Sequence, residues 1–300
     1  MSPIWGIDLG GTKIEGVVLK GRNELNVIKR LRVPTESNKG YDHIIGQIQL
    51  CIEKLKKATG LEPGSIGIGT PGILDPSTQT MKNCNTIAMN DRPLKKDLES
   101  SLGLPVKMAN DANCFAFSEV HFGVVADHLT DPEAVFGVIM GTGVGGGVVV
   151  HGKIVNGAQG IGGEWGHNFL DDSGGPCYCG HFGCVETIIS GPALEQFYQI
   201  RSGSYLPLPS IVESFQGKND PFAKETIDRL IHFFGKALAV VINVLDPEAV
   251  VLGGGVGNID LLYTLGREEV AKHVFNNRLD TLFLKPKLGD SAGVFGAALL

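Results

Sequence analysis

The sequence predicts an α/β protein built from two related halves. Two strand–glycine-turn–strand units recur at a constant offset of 131 residues. Short apolar runs alternate with longer amphipathic stretches, and the 42 glycines gather at the ends of those runs instead of forming a low-complexity tract. Three hundred residues suit two domains of ordinary size, or one large α/β unit, with ample chain to bury a core.

The first unit enters along Ile4 to Leu9, turns through Asp8-Leu9-Gly10-Gly11-Thr12-Lys13 and leaves along Ile14 to Leu19. The second enters along Ala134 to Met140, turns through Gly141-Thr142-Gly143-Val144-Gly145-Gly146-Gly147 and leaves along Val148 to Val150. Gly6 meets Gly137, Gly10 meets Gly141, Gly16 meets Gly147, and Val17-Val18 meet Val148-Val149. Glycine lets backbone N–H groups close on phosphate oxygens without a Cβ in the way, while Thr12 and Lys13 add a hydroxyl and a cation. Asp8 can bind Mg²⁺ directly or through water. An ordinary tight turn is the plain alternative for either run alone, but the duplication suggests two domains clasping the phosphates of a nucleotide. Neither run is a Walker A loop or a G-x-G-x-x-G fingerprint.

Tyr41 to Thr59 carries a helical apolar stripe that Gly60 ends, with Cys51 on the core side. Ser65 to Gly69 is a short strand turned by Gly69-Thr70-Pro71-Gly72, which brings backbone close to a ligand or to the next strand. Lys82-Asn83-Cys84-Asn85-Thr86 is a polar loop whose amides suit the recognition of hydroxyls, or a plain loop. Leu94 to Leu102 reads as an amphipathic helix, Val106 to Ala109 as a strand, and Cys114 to Val120 as a helix. The strand delivers Asn110-Asp111-Ala112-Asn113, and an Asp at such a junction is an N-cap or a positioned general base. Its Asn neighbours favour the base. Further on, Gly191 to Ile200 and Pro221 to Leu245 read as helices, and Glu248 to Leu252 as a strand. That strand ends in Gly253-Gly254-Gly255, bare backbone against which a base or ribose could lie. Ser291 to Leu300 reads as a closing helix started by a serine cap.

One stretch stands apart. Glu164-Trp165-Gly166-His167 is followed by a run from Cys177 to Glu186 that holds three of the six cysteines. His167, Cys177, Cys179 and Cys184 make a Cys₃His set with no open position, the pattern of a structural zinc site. Glu164 and Glu186 bracket these ligands. His181 reads as a loop histidine, a Cys177–Cys184 disulfide is the lesser alternative, and Cys84 and Cys114 read as plain buried or loop residues.

Hydrophobic content of 43%, charged content of 19% and a net charge of −6 describe a globular chain without the Lys/Arg clustering that nucleic acid requires. No apolar run approaches the ~20 residues of a membrane span, and the N-terminus carries no leader pattern. These features lead us to expect a cytoplasmic protein with reduced thiols and no nucleic-acid or membrane partner.

Together the seven motif blocks resemble the ROK family (repressor, open reading frame, kinase) of bacterial sugar kinases, a branch of the actin-like ATPase superfamily. The resemblance covers nearly the whole chain, and its most specific part is Cys-Gly-x-x-Gly-Cys-x-Glu from Cys179 to Glu186. It implies a two-domain, ribonuclease H-like α/β fold with a duplicated core and a cleft between the domains. Residues 1–112 plus 288–300 would form the small domain, and 113–287 the large domain with the zinc site. It further implies transfer of the γ-phosphoryl group of Mg-ATP to a hexose hydroxyl, often the 6-OH, by a homodimer with structural Zn²⁺. Asp111 matches the family's general base. Gly10, Gly11, Thr12 and Lys13 would hold phosphates from one side, Thr142 and Gly143 from the other, with Asp8 near Mg²⁺ and Gly254 and Gly255 near the adenosine. Gly69, Asn85, Asn110, Asp111, Glu164, His167 and Glu186 would face the sugar. No Arg lies in any block, which weighs against a sugar acid or phosphorylated sugar. The Glu-Trp-Gly-His-Asn run and the Lys82–Thr86 loop are most similar to the fructokinase and mannofructokinase branch, with N-acetylglucosamine kinases and glucokinases as alternatives. A sugar-responsive regulator of the same family is disfavoured, since only seven residues precede Asp8.

Overall fold

The computed structural model describes residues 2–217 and 219–300; Met1, the expected start of the first domain, and Lys218 lie outside the described residues. The chain divides into two compact units, one of Met1–Thr130, Gly147–Gly162 and Lys287–Leu300, the other of Asp131–Gly146 and Gly163–Pro286. The expected division at 112 and 288 instead separated Asp111 from the helix it begins. That helix stays with the first unit because it packs on the closing helix Ala292–Leu299. The segment from Gly147 stays with it too: a Cβ on Gly147 would lie 2.8 Å from the Asn113 Cα.

The first unit begins with β1 (Ile4–Leu9), β2 (Lys13–Leu19) and β3 (Val27–Pro34), joined antiparallel. Helix α1 (Tyr41–Thr59) leads to β4 (Ile66–Thr70), and α2 (Leu94–Leu102) leads to β5 (Val106–Asn110) and α3 (Asp111–His121). The sheet order is β3-β2-β1-β4-β5, with β4 parallel to both β1 and β5. Every β2 residue after Lys13 is buried, and the alternation of side chains explains how. Ile14 and Val18 join the core with Ile44, Ile48 and Ile52 of α1, while Val17 and Leu19 join Val294, Phe295 and Ala298 of the closing helix. Both faces of the strand are covered.

The closing helix reaches that position because glycines stand where it meets β4 and α3. A Cβ on Gly67 would lie 2.8 Å from the Ala297 carbonyl carbon, and one on Gly296 would lie 2.8 Å from the Cys114 Cα. Side chains at these positions would push α3, and with it Asp111, away from the sheet. The expected serine cap is absent. Ser291 Oγ donates to Glu15 Oε1 at 2.9 Å and accepts from Arg30 at 2.7 Å, so this hydroxyl serves a buried carboxylate instead of the helix end. Buried Glu119 of α3 likewise accepts the N–H groups of Val124, Lys287 and Leu288 at 2.8, 3.1 and 3.0 Å, fixing where the chain returns to the first unit.

The second sheet repeats the first. Strands β6 (Ala134–Met140), β7 (Val144–Val150) and β8 (Lys153–Ile154) precede β9 (Ala249–Gly253) and β10 (Leu282–Leu284). The order is β8-β7-β6-β9-β10, with β9 parallel to β6 and β10. Strand β7 runs straight through Gly145, Gly146 and Gly147, where the sequence suggested a longer turn, and it lies 131 residues after β2 at both ends. Helices α4 (Gly191–Ser202), α5 (Leu208–Gln216), α6 (Pro221–Leu245) and α7 (Leu265–Ala271) cover the second unit. Asp220 caps α6 by accepting from Phe222 and Ala223, one residue before the proline at N1. Among the described residues no helix is long and apolar enough to cross a membrane.

Candidate active site

In the first unit two strand ends deliver two carboxylates. Asp8 stands near the end of β1, and Asp111 opens α3 directly after β5. The N-cap is Asn110, whose Oδ1 accepts the Ala112 N–H at 2.9 Å, so Asp111 is the first helical residue and not the cap. Asp111 Oδ1 accepts the same N–H at 2.7 Å. A carboxylate there gains from the helix dipole, yet burial outweighs that and raises its pKa above the ordinary aspartate range. Asp8 is pushed up to about 7, first by burial, then by the charge of Asp111 and that of Glu15. Both groups therefore hold protons more firmly than a surface aspartate.

A cavity of about 550 Å³ opens beside Asp111, which lines it with Gly10, Gly11 and Asn85 and with Ser37, Asn38 and Thr86. Four residues singled out in the sequence thus converge. Ser37 and Asn38 lay in a polar stretch with no motif to mark them; Ser37 Oγ donates to the Gly11 carbonyl at 3.0 Å and so fixes the turn. Gly10 uses its N–H to close the hairpin on the Lys13 carbonyl at 3.0 Å, as Gly141 does on the Gly143 carbonyl at 2.9 Å. These two N–H groups hold the turns and do not point outward as phosphate donors. Thr12 and Lys13 are exposed. Gly69 is buried, and a Cβ there would lie 3.3 Å from Cys114 Sγ, so this glycine lets α3 pack closely on β4.

In the second unit a cavity of about 790 Å³ is lined by Gly141, Thr142 and Gly255, together with Gly191, Glu195, Leu208, Asn258 and Asp260. Gly254 has φ +79°, and a Cβ on it would lie 2.8 Å from the Met140 N, so only glycine fits where β9 passes β6. Glu186 reaches the turn after β6. Its Oε2 accepts the Val144 N–H at 2.8 Å, and a Cβ on Gly143 would lie 2.5 Å from that oxygen.

His167, Cys177, Cys179 and Cys184 form a group whose ligand atoms all lie within 4.8 Å of one another. The Cys179 and Cys184 sulfurs are 3.7 Å apart, and Cys177 Sγ lies 3.6 Å from His167 Nδ1. A tetrahedral zinc with Zn–S of about 2.3 Å and Zn–N of about 2.05 Å would set such edges at roughly 3.8 and 3.6 Å, so the four residues fit the metal. All six cysteines are free thiols, which removes the disulfide alternative. His181 places Nδ1 3.6 Å from Cys179 Sγ but stands outside the group of four.

The other His167 nitrogen, Nε2, lies 3.1 Å from the Tyr178 hydroxyl, with the two rings edge to face at 5.2 Å. The partner of this nitrogen is thus a tyrosine that no motif marked, although it sits between Cys177 and Cys179. Trp165 anchors the 164–167 turn to β7 by donating Nε1–H to the Gly145 carbonyl at 3.1 Å. Glu164 opens that turn and is half-buried.

Residues 4–300 match the ROK family. An N-acetyl-D-glucosamine kinase of Pectobacterium atrosepticum is 36% identical over 99% of this chain and 98% of its own length. One from Vibrio cholerae is 35% identical with the same coverage. Among solved structures, a ROK hexokinase from Thermus thermophilus superposes with a TM-score of 0.87 at 32% identity, covering 99% of this chain and 97% of its own. A ROK family glucokinase from Streptomyces griseus, in complex with glucose and AMPPNP, gives 0.79 at 28%, covering 99% and 98%. The two sheets of like order are the duplicated core of the actin-like ATPase fold, and over nearly its whole length the chain belongs to the ROK family.

Proposed function

We propose that this sugar kinase transfers the γ-phosphoryl group of Mg-ATP to a hydroxyl, the 6-OH, of N-acetyl-D-glucosamine. The observation that carries the choice of sugar is the set of eight relatives at 34–36% identity, each covered end to end and each named for that sugar. It favours this acceptor over fructose, toward which the Glu-Trp-Gly-His-Asn run leans. Glucose is the second reading, on the glucokinase likeness.

Asp111 takes the proton of the acceptor hydroxyl as the phosphoryl group arrives, a contribution of roughly 10²–10⁴ in rate. Burial makes Asp111 a stronger base than a surface aspartate. Asn85 shares its cavity and, with Asn110, Glu164 and Glu186, offers acceptors and donors to a neutral sugar. Thr12, Lys13, Thr142 and the turns they stand on take the phosphates, while Gly254 and Gly255 leave room for the adenosine. Mg²⁺, near Asp8, supplies neutralisation of phosphate charge. Zn²⁺ in the Cys₃His group supplies no reactive ligand position and would hold the 164–186 segment in shape. The active form is a homodimer in this reading.

ADP release with Mg-ATP measured across N-acetylglucosamine, N-acetylmannosamine, glucose, mannose and fructose tests the proposal. The expected result is the highest kcat/KM for N-acetylglucosamine, by about tenfold or more, since an unmet acyl contact leaves buried polar groups unpaired. Higher kcat/KM for fructose would restore the fructokinase reading. Turnover of none of them would remove the kinase assignment.

A further inference from the structure

A second group of metal-binding side chains lies in the second unit, away from the zinc ligands in sequence and in composition. We propose that His232, Glu269 and His273 form a surface site for a divalent transition metal, with His232 Nδ1, Glu269 Oε1 and His273 Nε2 as ligands. These three atoms lie within 4.8 Å of one another. Both imidazoles converge on one carboxylate oxygen, at 3.1 Å from His232 Nδ1 and 3.3 Å from His273 Nε2. A metal with bonds of about 2.1 Å sets neighbouring ligand atoms roughly 3.0 Å apart in octahedral geometry and 3.4 Å in tetrahedral. The observed edges fall inside that range. Two imidazoles and a carboxylate are also the donor set that Ni²⁺, Co²⁺, Cu²⁺ and Zn²⁺ accept, whereas Mg²⁺ and Ca²⁺ favour oxygen.

The backbone shapes the site from two directions. On α6, Gly235 stands three residues after His232, and a Cβ there would lie 2.9 Å from the Glu269 Cβ. Glycine at that position lets α7 bring its carboxylate against α6. On the other side, Asn243 of α6 donates to the His273 carbonyl at 3.4 Å and accepts the Phe275 N–H at 2.7 Å, tying the residues after α7 to the same helix. Lys272 pairs with the second oxygen, Oε2, at 2.6 Å, which leaves Oε1 to the imidazoles. Both histidine side chains are open to solvent, at 50% and 32%, so a metal can enter without unfolding. A bound ion would cross-link α6 to the segment after α7.

Nickel titration of the full-length, zinc-loaded protein by calorimetry tests the proposal. The expected result is one additional binding event in the wild type, weakened at least tenfold in both His232→Gln and His273→Gln. Nickel should also raise the melting temperature of the wild type and leave that of Glu269→Gln unchanged. Nickel isotherms identical in the wild type and the two histidine variants would overturn the site, and would identify the cluster as an ion-pair hub around Glu269. Binding lost instead in Cys179→Ser would overturn it equally, by placing nickel among the cysteines.

Discussion

The two sheets share a strand order but not a chemistry. In the first, the turn between β1 and β2 carries Asp8 and Lys13, and β5 ends in Asn110 and Asp111. In the second, the matching turn between β6 and β7 carries only Thr142 among polar side chains, and β10 ends without a carboxylate. Its charge comes from elsewhere in the chain: Glu186, forty-two residues on, binds the Val144 N–H. The third strands diverge as well. Strand β3 spans eight residues and β8 two. Duplication thus preserved what the sheet needs, glycines at the turns and apolar residues along the strands, and left each turn free to acquire its own reacting groups.

The sharpest way to break this comparison is at Asp111, because the second half has no counterpart to it. Asp111→Asn keeps the shape and can still accept from Ala112, so folding should survive. We expect kcat to fall by about 10²–10⁴ while sugar binding, followed by calorimetry, persists. A variant retaining a tenth or more of its kcat would show that the proton leaves by another route.

The Cys₃His group sharpens the contrast from the other side, since its four residues all belong to the second unit. Cys179→Ser removes a ligand from the centre of the group. Elemental analysis should then find roughly none of the one zinc per chain expected in the wild type, with kcat/KM reduced about ten- to a hundredfold. The protein should remain folded, because each sheet has a core of its own. A zinc-free wild type that folds and turns over with Mg-ATP would remove zinc from the account.

The glycine turns were legible in the sequence because a turn that must lack a side chain leaves a residue-type mark, and two such turns at one offset leave it twice. The clustering of His167 with Cys177, Cys179 and Cys184 was legible from their close spacing in the chain. Other features left no such mark. Strand β3 reads Val-Ile-Lys-Arg-Leu-Arg-Val-Pro, and most of it is exposed, as suits a sheet edge protected by charge. Its apolar signal is too weak to separate from a loop. Ser37, Asn38 and Tyr178 are brought to their sites by tertiary contacts that spacing does not encode. Ser291 looked like a helix cap because a serine preceded an apolar run, but a buried Glu15 from another element claims its hydroxyl. Asp111 was legible as a candidate, although the sequence left cap and base open until Asn110 was seen to cap.

A smaller effect separates two glycine turns of the second unit. Gly141 has open space where a Cβ would go, whereas Gly254 has φ +79° and the Met140 backbone in the way. Gly141→Ala should therefore fold with a stability change under about 1 kcal/mol. Gly254→Ala should lose about 2–4 kcal/mol, from the left-handed conformation and the clash together. Urea unfolding measures both; equal losses would mean that β9 does not need its close approach to β6.

The mildest test concerns pH, and it sets activity against stability. Burial raises both Asp111 and Asp8, the latter from 3.8 to about 7. A base must be unprotonated, so the raised pKa of Asp111 should place the acid limb of kcat/KM above the ordinary aspartate range. At Asp8, stability moves the other way. Between 3.8 and about 7 the folded protein holds more protons at Asp8 than the unfolded chain does, so the slope of unfolding free energy against pH is negative there. The contribution of Asp8 to stability is fully present below 3.8 and is lost as pH rises through about 7. The wild type should accordingly lose stability relative to Asp8→Asn as pH is raised across that window, while its own turnover increases. An acid limb below pH 5, or a stability difference that does not change with pH, would show that Asp8 and Asp111 titrate as ordinary surface carboxylates and that burial does not make Asp111 the stronger base.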